Sequence, residues 1–435
     1  MNSRFKFVVV TSSTFLVVLL LLGAVMGQSA STEEPYRQLQ VYSEVLSRIK
    51  SEYVEEPDIK NVTLGAMNGL LESIDPFASY LSADQYKQYL KSQDAKKAGV
   101  GLVLSRKFGY VGVVNAIPGS AAHKAGLGTG DMLESIAGVA TRDMPLAYAE
   151  MLLQGDPGTS VEVTALRVRK PEPQKISLTR AVVKYPSITA KLLPDGIGLV
   201  QIPALDGSSR VKEVSSQVDS LLKQGAKKLI LDLRNASSGT PEEGVAIANL
   251  FQEKGLIAYS QGQKFPRQNF SADGKAPYKL QPIAVITNRG TTKAAEVLAA
   301  SLLDSKRADV VGERSYGDAA IRKAVTLDDG AAVILSVAKY YSPSGKAIQD
   351  TGVTPNVLVT DAEALVEAEE TADPQAQPTP DVPKKDEEDL LLKKAIELLT
   401  KGKAESTATK NMDGSAPDAS GKRVPSANEV PTTTT

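Results

Sequence analysis

The chain has 435 residues, 42% of them hydrophobic and 23% charged, which is room and composition for two or three folded domains. Its formal net charge is −1, so no basic field is available to hold a nucleic acid. Cysteine is absent and His123 is the single histidine, which removes disulfides, thiol chemistry and a lipid-attachment cysteine, and leaves little basis for a His–Asp pair or a multi-histidine metal site.

Arg4 and Lys6 precede an apolar stretch over residues 15–26 of signal-peptide length. Counted from Phe7, the segment is about long enough to span a bilayer. Val25 stands three residues before a cleavage point after Gly27. Residues 1–30 therefore read equally as a cleaved signal or a retained membrane anchor. Both export the body to the periplasm or cell envelope.

Residues 33–96 read as a helical N-terminal region, with Tyr42, Val45, Leu46, Ile49 and Tyr53 at helical spacing. A second run over 64–74 ends at Asp75-Pro76. Residues 97–180 read as a β-rich domain. It opens with Gly99-Val100-Gly101-Leu102, followed by Pro118-Gly119-Ser120-Ala121-Ala122, Gly130-Asp131 and Ile136-Ala137-Gly138. Together these motifs resemble a PDZ domain. Backbone N–H groups at Val100, Gly101 and Leu102 can turn inward as an anion nest, and the following strand can pair with an extended peptide whose C-terminal carboxylate sits there. His123 reads as a surface helix residue.

Residues 184–360 read as an α/β body. Strands are expected at 196–202, 228–234, 283–287 and 331–337, and helices at 245–251 and 294–303. Residues 361–385, acidic and proline-containing, read as a linker. Leu391, Ala395, Leu398 and Leu399 mark an amphipathic helix within 386–402, stopped at Gly402, and the Ser/Thr/Lys/Pro-rich tail 403–435 reads as disordered.

The α/β body carries Leu231-Asp232-Leu233-Arg234-Asn235 and then Ala236-Ser237-Ser238-Gly239. Further on come Asn288-Arg289-Gly290-Thr291-Thr292-Lys293-Ala294-Ala295-Glu296 and Gly312-Glu313-Arg314-Ser315-Tyr316-Gly317-Asp318, with Arg322 four residues later. These segments resemble, without gaps, the active-site region of the C-terminal processing (tail-specific) serine peptidases. The resemblance spans about residues 33–402. It implies an α/β multidomain protein with a peptidase core of the ClpP/crotonase-like type, a PDZ domain and no cofactor. Under it, the catalytic serine position is held by Lys293, the lysine base by Asp318 and the supporting glutamine by Arg322. Phe77 stands where the family usually has histidine. The family's Pro-Gly before Gly239 is Ser237-Ser238, so the oxyanion hole implied at Gly239 and Ala294 is altered.

A serine nucleophile needs a hydroxyl and a neighbouring amine of lowered pKa. Here the first position has no hydroxyl and the second no amine. An ammonium facing a carboxylate is held charged and has no lone pair with which to attack. A cation at a helix N-terminus is disfavoured by the helix dipole, so Asp318 is expected to compensate Lys293, with Arg322 as second cation. Thr291 and Thr292 are the neighbouring hydroxyls.

The resulting expectation is an exported pseudopeptidase that binds the C-termini of unfolded or envelope proteins as adaptor or regulator. Two other readings stand beside it: an active serine-type endopeptidase that processes C-termini, and a structural subunit of an active paralogue. The sequence leaves open a homo-oligomer and membrane attachment through the N-terminal segment.

Overall fold

The computed structural model describes residues 7, 11, 13–17, 33–93, 98–107, 109–167, 170–207, 209–359 and 389–401. The expected linker, the C-terminal tail and most of the expected signal or anchor lie outside these residues. Among the described residues no helix is long and apolar enough to cross a membrane.

The N-terminal region contains α1 (Glu33–Glu52), α2 (Ile59–Ile74), β1 (Ser79–Leu81) and α3 (Ala83–Gln93). Asp58 caps α2 by accepting from the backbone N–H groups of Lys60 and Asn61. The region is not wholly helical: β1 pairs antiparallel with a strand of the α/β body, Ser79 opposite Ile334. A three-residue strand is too short to show a period of two in sequence.

The next domain holds β2 (Leu102–Lys107), β3 (Tyr110–Ala116), α4 (Ala121–Lys124), β4 (Met132–Ile136), β5 (Val139–Ala140), α5 (Leu146–Leu153), β6 (Ser160–Arg167) and β7 (Lys170–Thr179). Its sheet runs β2-β3-β4-β6-β7, which leaves β2 at an edge. Val100, Leu104, Leu133, Ile136, Ala149, Leu153 and Val163 form one buried cluster between that sheet and α5.

The α/β body follows with β8 (Thr189–Leu193), β9 (Ile197–Gln201), α6 (Ser209–Lys223), β10 (Lys228–Asp232), α7 (Pro241–Ala248), β11 (Leu256–Gln261), β12 (Gln268–Ser271), β13 (Ile283–Thr287), α8 (Ala294–Asp304), β14 (Ala308–Gly312), β15 (Ala320–Thr326), β16 (Ala332–Tyr341) and β17 (Val357–Leu358). One sheet runs β17-β14-β13-β10-β9-β8 and is parallel except for β8. Its central strands are apolar on both faces, as a doubly covered parallel sheet requires. Leu229, Leu231, Ile283 and Val285 face the core shared with α6, α7 and α8. Ile230, Ala284 and Ile286 face the opposite side, covered by Leu391 and Ala395 of α9 (Leu390–Lys401). The expected amphipathic helix thus starts a few residues later than its sequence window. Arg234 fixes the start of α9, reaching Asp232 at 2.7 Å and Asp389 at 2.8 Å. A second sheet, β1-β16-β11-β12 with β15 on the other side of β16, carries Arg322.

Candidate functional site

Strand β13 delivers the chain to a short turn and then to α8, and Lys293 sits at the junction. Its backbone is at φ 52°, ψ −114°, a region that L-residues rarely adopt. Such strain costs on the order of 1–3 kcal/mol and clusters at functional positions. The helix behind it is buried along almost its whole length.

Glu296 holds this strained turn. Its carboxylate is fully buried and accepts from four donors: the Lys293 N–H at 2.9 Å, the Ser315 hydroxyl at 2.5 Å, the Gly317 N–H at 2.6 Å and the Asp318 N–H at 2.8 Å. One side chain therefore ties the start of α8 to the loop that carries Asp318. Sequence reasoning assigned Glu296 no role. The signal was present, because a Glu three residues past an N-cap reaches back to the cap N–H.

Burial pushes the Glu296 carboxyl up to about 7 from an ordinary 4.5, while the hydrogen bonds from Ser315, Asp318 and Gly317 pull it down. The folded-state value lies above the unfolded one. Between them the folded chain keeps a proton that the unfolded chain has released. This group's contribution is therefore fully present below about 4.5 and is lost as pH rises through about 7. The expected loss is ~3 kcal/mol at most. Denaturant unfolding at pH 5 and pH 8 should show this slope in the wild type and its reduction in Glu296→Gln.

Lys293, Asp318 and Arg322 come together. Asp318 is 8% exposed. Lys293 Nζ lies 3.9 Å from Asp318 Oδ2, and the Arg322 guanidinium is in hydrogen-bonding contact with Asp318 Oδ1. Arg322 is thus the principal partner of Asp318, and Lys293, with 39% of its side chain exposed, the weaker one. Arg322 also lies over the Phe77 ring, 4.2 Å from its centroid, and Phe77 meets Tyr316 edge-on at 5.8 Å. Asp75 positions Phe77 by accepting from its N–H at 2.9 Å while Gln349 donates to Asp75 at 3.1 Å. From α5 of the neighbouring domain, Glu150 adds a charge that feels Lys293, Asp318 and Arg322. Glu150 stands among many protein atoms yet keeps an exposed side chain, so water screens its influence.

The implied oxyanion pair is also adjacent. Gly239 is at φ +92°, and a Cβ there would lie 2.8 Å from the Leu205 backbone and 3.1 Å from Ala294 Cβ. Only glycine fits that turn and approach. The altered residues before it are engaged elsewhere. Ser237 takes a hydrogen bond from Asn115 of β3 at 3.1 Å, and Ser238 donates to Asp206 at 3.3 Å. Asn115 also donates to the Asn235 carbonyl at 2.9 Å, so the β-rich domain rests directly on this loop. The neighbouring threonines are fully buried, and Thr291 donates its hydroxyl to the Leu233 carbonyl at 2.8 Å.

Val100, Gly101 and Leu102 lie at the entry to the edge strand β2. Gly101 is at φ +81°, and a Cβ there would fall 2.2 Å from Ser120 Cβ. The Val100 and Gly101 carbonyls accept from Ala122 and Ile117 at 3.0 and 2.8 Å, which aims both away from the strand edge. His123 lies on α4, whose cap is Ser120. Among the described residues no cluster of His, Cys, Asp and Glu could hold a metal.

Residues 196–359 match the model of peptidase family S41, and residues 112–167 that of the PDZ domain. The carboxy-terminal processing protease CtpA of Bacillus subtilis (strain 168) is 31% identical over 340 residues, covering 77% of this chain and 71% of that protein. The chloroplastic C-terminal processing peptidase of Tetradesmus obliquus is 34% identical over 332 residues, covering 72% of this chain and 70% of that protein. The chain belongs to the carboxy-terminal processing protease family. Among solved structures, the photosystem II D1 C-terminal processing protease superposes with a TM-score of 0.60 at 29% identity, covering 73% of this chain and 86% of that one. The family fold accounts for the helical N-terminal region, the PDZ sheet and the α/β core.

Proposed function

We propose that this member of the family binds polypeptide C-termini through its PDZ domain and does not hydrolyse them at the family's site, acting as an exported adaptor or regulator. One observation carries the reading. Four positions that depart from the family pattern, Phe77, Arg322, Asp318 and Lys293, touch in series: ring to guanidinium, guanidinium to carboxylate, carboxylate to ammonium. The family fold brings these positions together in any case, so what bears on the reading is that the side chains now there pair with one another. A contiguous chain of compensating contacts points to a site rebuilt for structure or recognition. The same positions hold no hydroxyl at 293 and no amine at 318. Export rests on the apolar N-terminal segment, and the proposed partners are tails of unfolded or envelope proteins, with a second copy or an active paralogue as assembly partners.

A working peptidase is the second reading. The strained backbone at Lys293 and the close approach of Gly239 to Ala294 favour it, because both are features that position a reacting group. The hydroxyls next to Lys293 in sequence speak against it, since Thr291 and Thr292 are fully buried.

Peptide binding is tested with ten-residue peptides bearing either a free or an amidated C-terminus. If the nest holds the carboxylate, amidation removes a charged contact worth on the order of 1.5–3 kcal/mol and weakens binding by roughly tenfold or more. Mass spectrometry should recover the free-acid peptides intact. Equal binding of acid and amide forms would remove the nest from the account.

A further inference from the structure

Arg106 lies on the edge strand β2, on the same face as Leu102 and Leu104 by strand alternation. Its side chain is 1% exposed. Glu72 of α2 lies 2.8 Å from one guanidinium nitrogen, but the contact is too misaligned to be a hydrogen bond, and the nitrogens Nε, Nη1 and Nη2 have no hydrogen-bond acceptor among the described residues. Asn68, one turn earlier on α2, is 2% exposed, and its Oδ1 has no donor. A buried guanidinium normally fills its five donor positions, and leaving them open costs free energy. The Glu72 side chain is 29% exposed and can swing into water.

We propose that Arg106 is a specificity subsite of the PDZ domain that takes an acidic side chain upstream of a bound C-terminus, and that Glu72 occupies its place when no peptide is bound. The proposal rests on peptide pairing with β2 and deepens that reading. A peptide whose carboxylate sits at Val100, Gly101 and Leu102 must run alongside β2 toward Lys107, because β2 pairs only with β3 and has its other edge unpaired. At about 3.4 Å per residue, the position facing Arg106 lies four residues before the terminal one. The guanidinium there meets a Glu or Asp side chain with two aligned donors, which Glu72 does not achieve. The Glu72 carboxylate moves to solvent, and the guanidinium exchanges a misaligned partner for an aligned one.

The test is an array of peptides with free C-termini, randomised at the upstream positions and probed with the protein lacking residues 1–30. The wild type should enrich Glu or Asp at the fifth residue from the end, by about five- to tenfold over Gln. Arg106→Gln should lose that enrichment while keeping dependence on the free carboxylate. Glu72→Gln, which leaves Arg106 in place, should bind acidic peptides more tightly than the wild type, and it remains informative if Arg106→Gln fails to fold. Carboxylate-dependent binding without preference at that position would overturn the subsite and leave the PDZ reading standing. Binding that ignores the free carboxylate would overturn both.

Discussion

Replacing Glu296 by alanine is expected to lower the unfolding free energy by about 3–5 kcal/mol, the largest single-residue loss in the site region. Three backbone N–H groups and the Ser315 hydroxyl would lose their acceptor in a fully buried place. Removing a buried carboxylate also returns its desolvation cost, visible in the upward push on its titration. That return keeps the loss below the sum of four broken hydrogen bonds. The substitution releases the strained backbone at Lys293 from the Asp318 loop, so amide exchange should rise at Gly317 and Asp318 before global unfolding. A denaturant series with hydrogen exchange reads both quantities, and an alanine variant within about 0.5 kcal/mol of wild type would refute the clamp.

Asp318→Ala is expected to cost about 2–3 kcal/mol, because it strands the half-buried Arg322 guanidinium over the Phe77 ring. The two cations should not contribute equally. Arg322 makes the direct charge-assisted contact, so its coupling to Asp318 in a double-mutant cycle should reach about 1.5–3 kcal/mol. Lys293 is farther away and well solvated, and its coupling should be only about 0.5–1 kcal/mol. Lys293→Ala alone should change stability by less than about 1 kcal/mol, since the dipole of α8 already disfavours a cation there. Purely additive losses in both cycles would show three independent charges rather than a network.

Much of this site was legible because it lies in two short segments. The resemblance of those segments to the family's placed Lys293, Asp318 and Arg322, and the continuous apolar run Leu229-Ile230-Leu231 marked a buried strand. The balance of the trio differs from the sequence expectation in one respect: the expected main partner of Asp318 is Lys293, and the observed one is Arg322. A carboxylate in the loop just before a strand is reached more directly from four residues along the same chain than from a helix cap across a turn. Contacts between distant segments left no trace in a single sequence. Phe77 and Arg322 meet only because β1 joins the second sheet, and a three-residue strand carries no periodic signal. Asn115 and Glu150 reach the site from the PDZ domain, and nothing in their local sequence marks that role. Arg106 reads as an ordinary strand residue until its burial and missing partners are seen.

A site that holds Lys293, Asp318 and Arg322 at the family's three positions is proposed not to cut peptide bonds. The most direct measurement is turnover of an unfolded polypeptide by purified protein lacking residues 1–30, run beside Lys293→Ala and a serine-directed covalent probe. No cleavage products and no labelling are expected in either protein. Cleavage by the wild type that disappears in Lys293→Ala would contradict it.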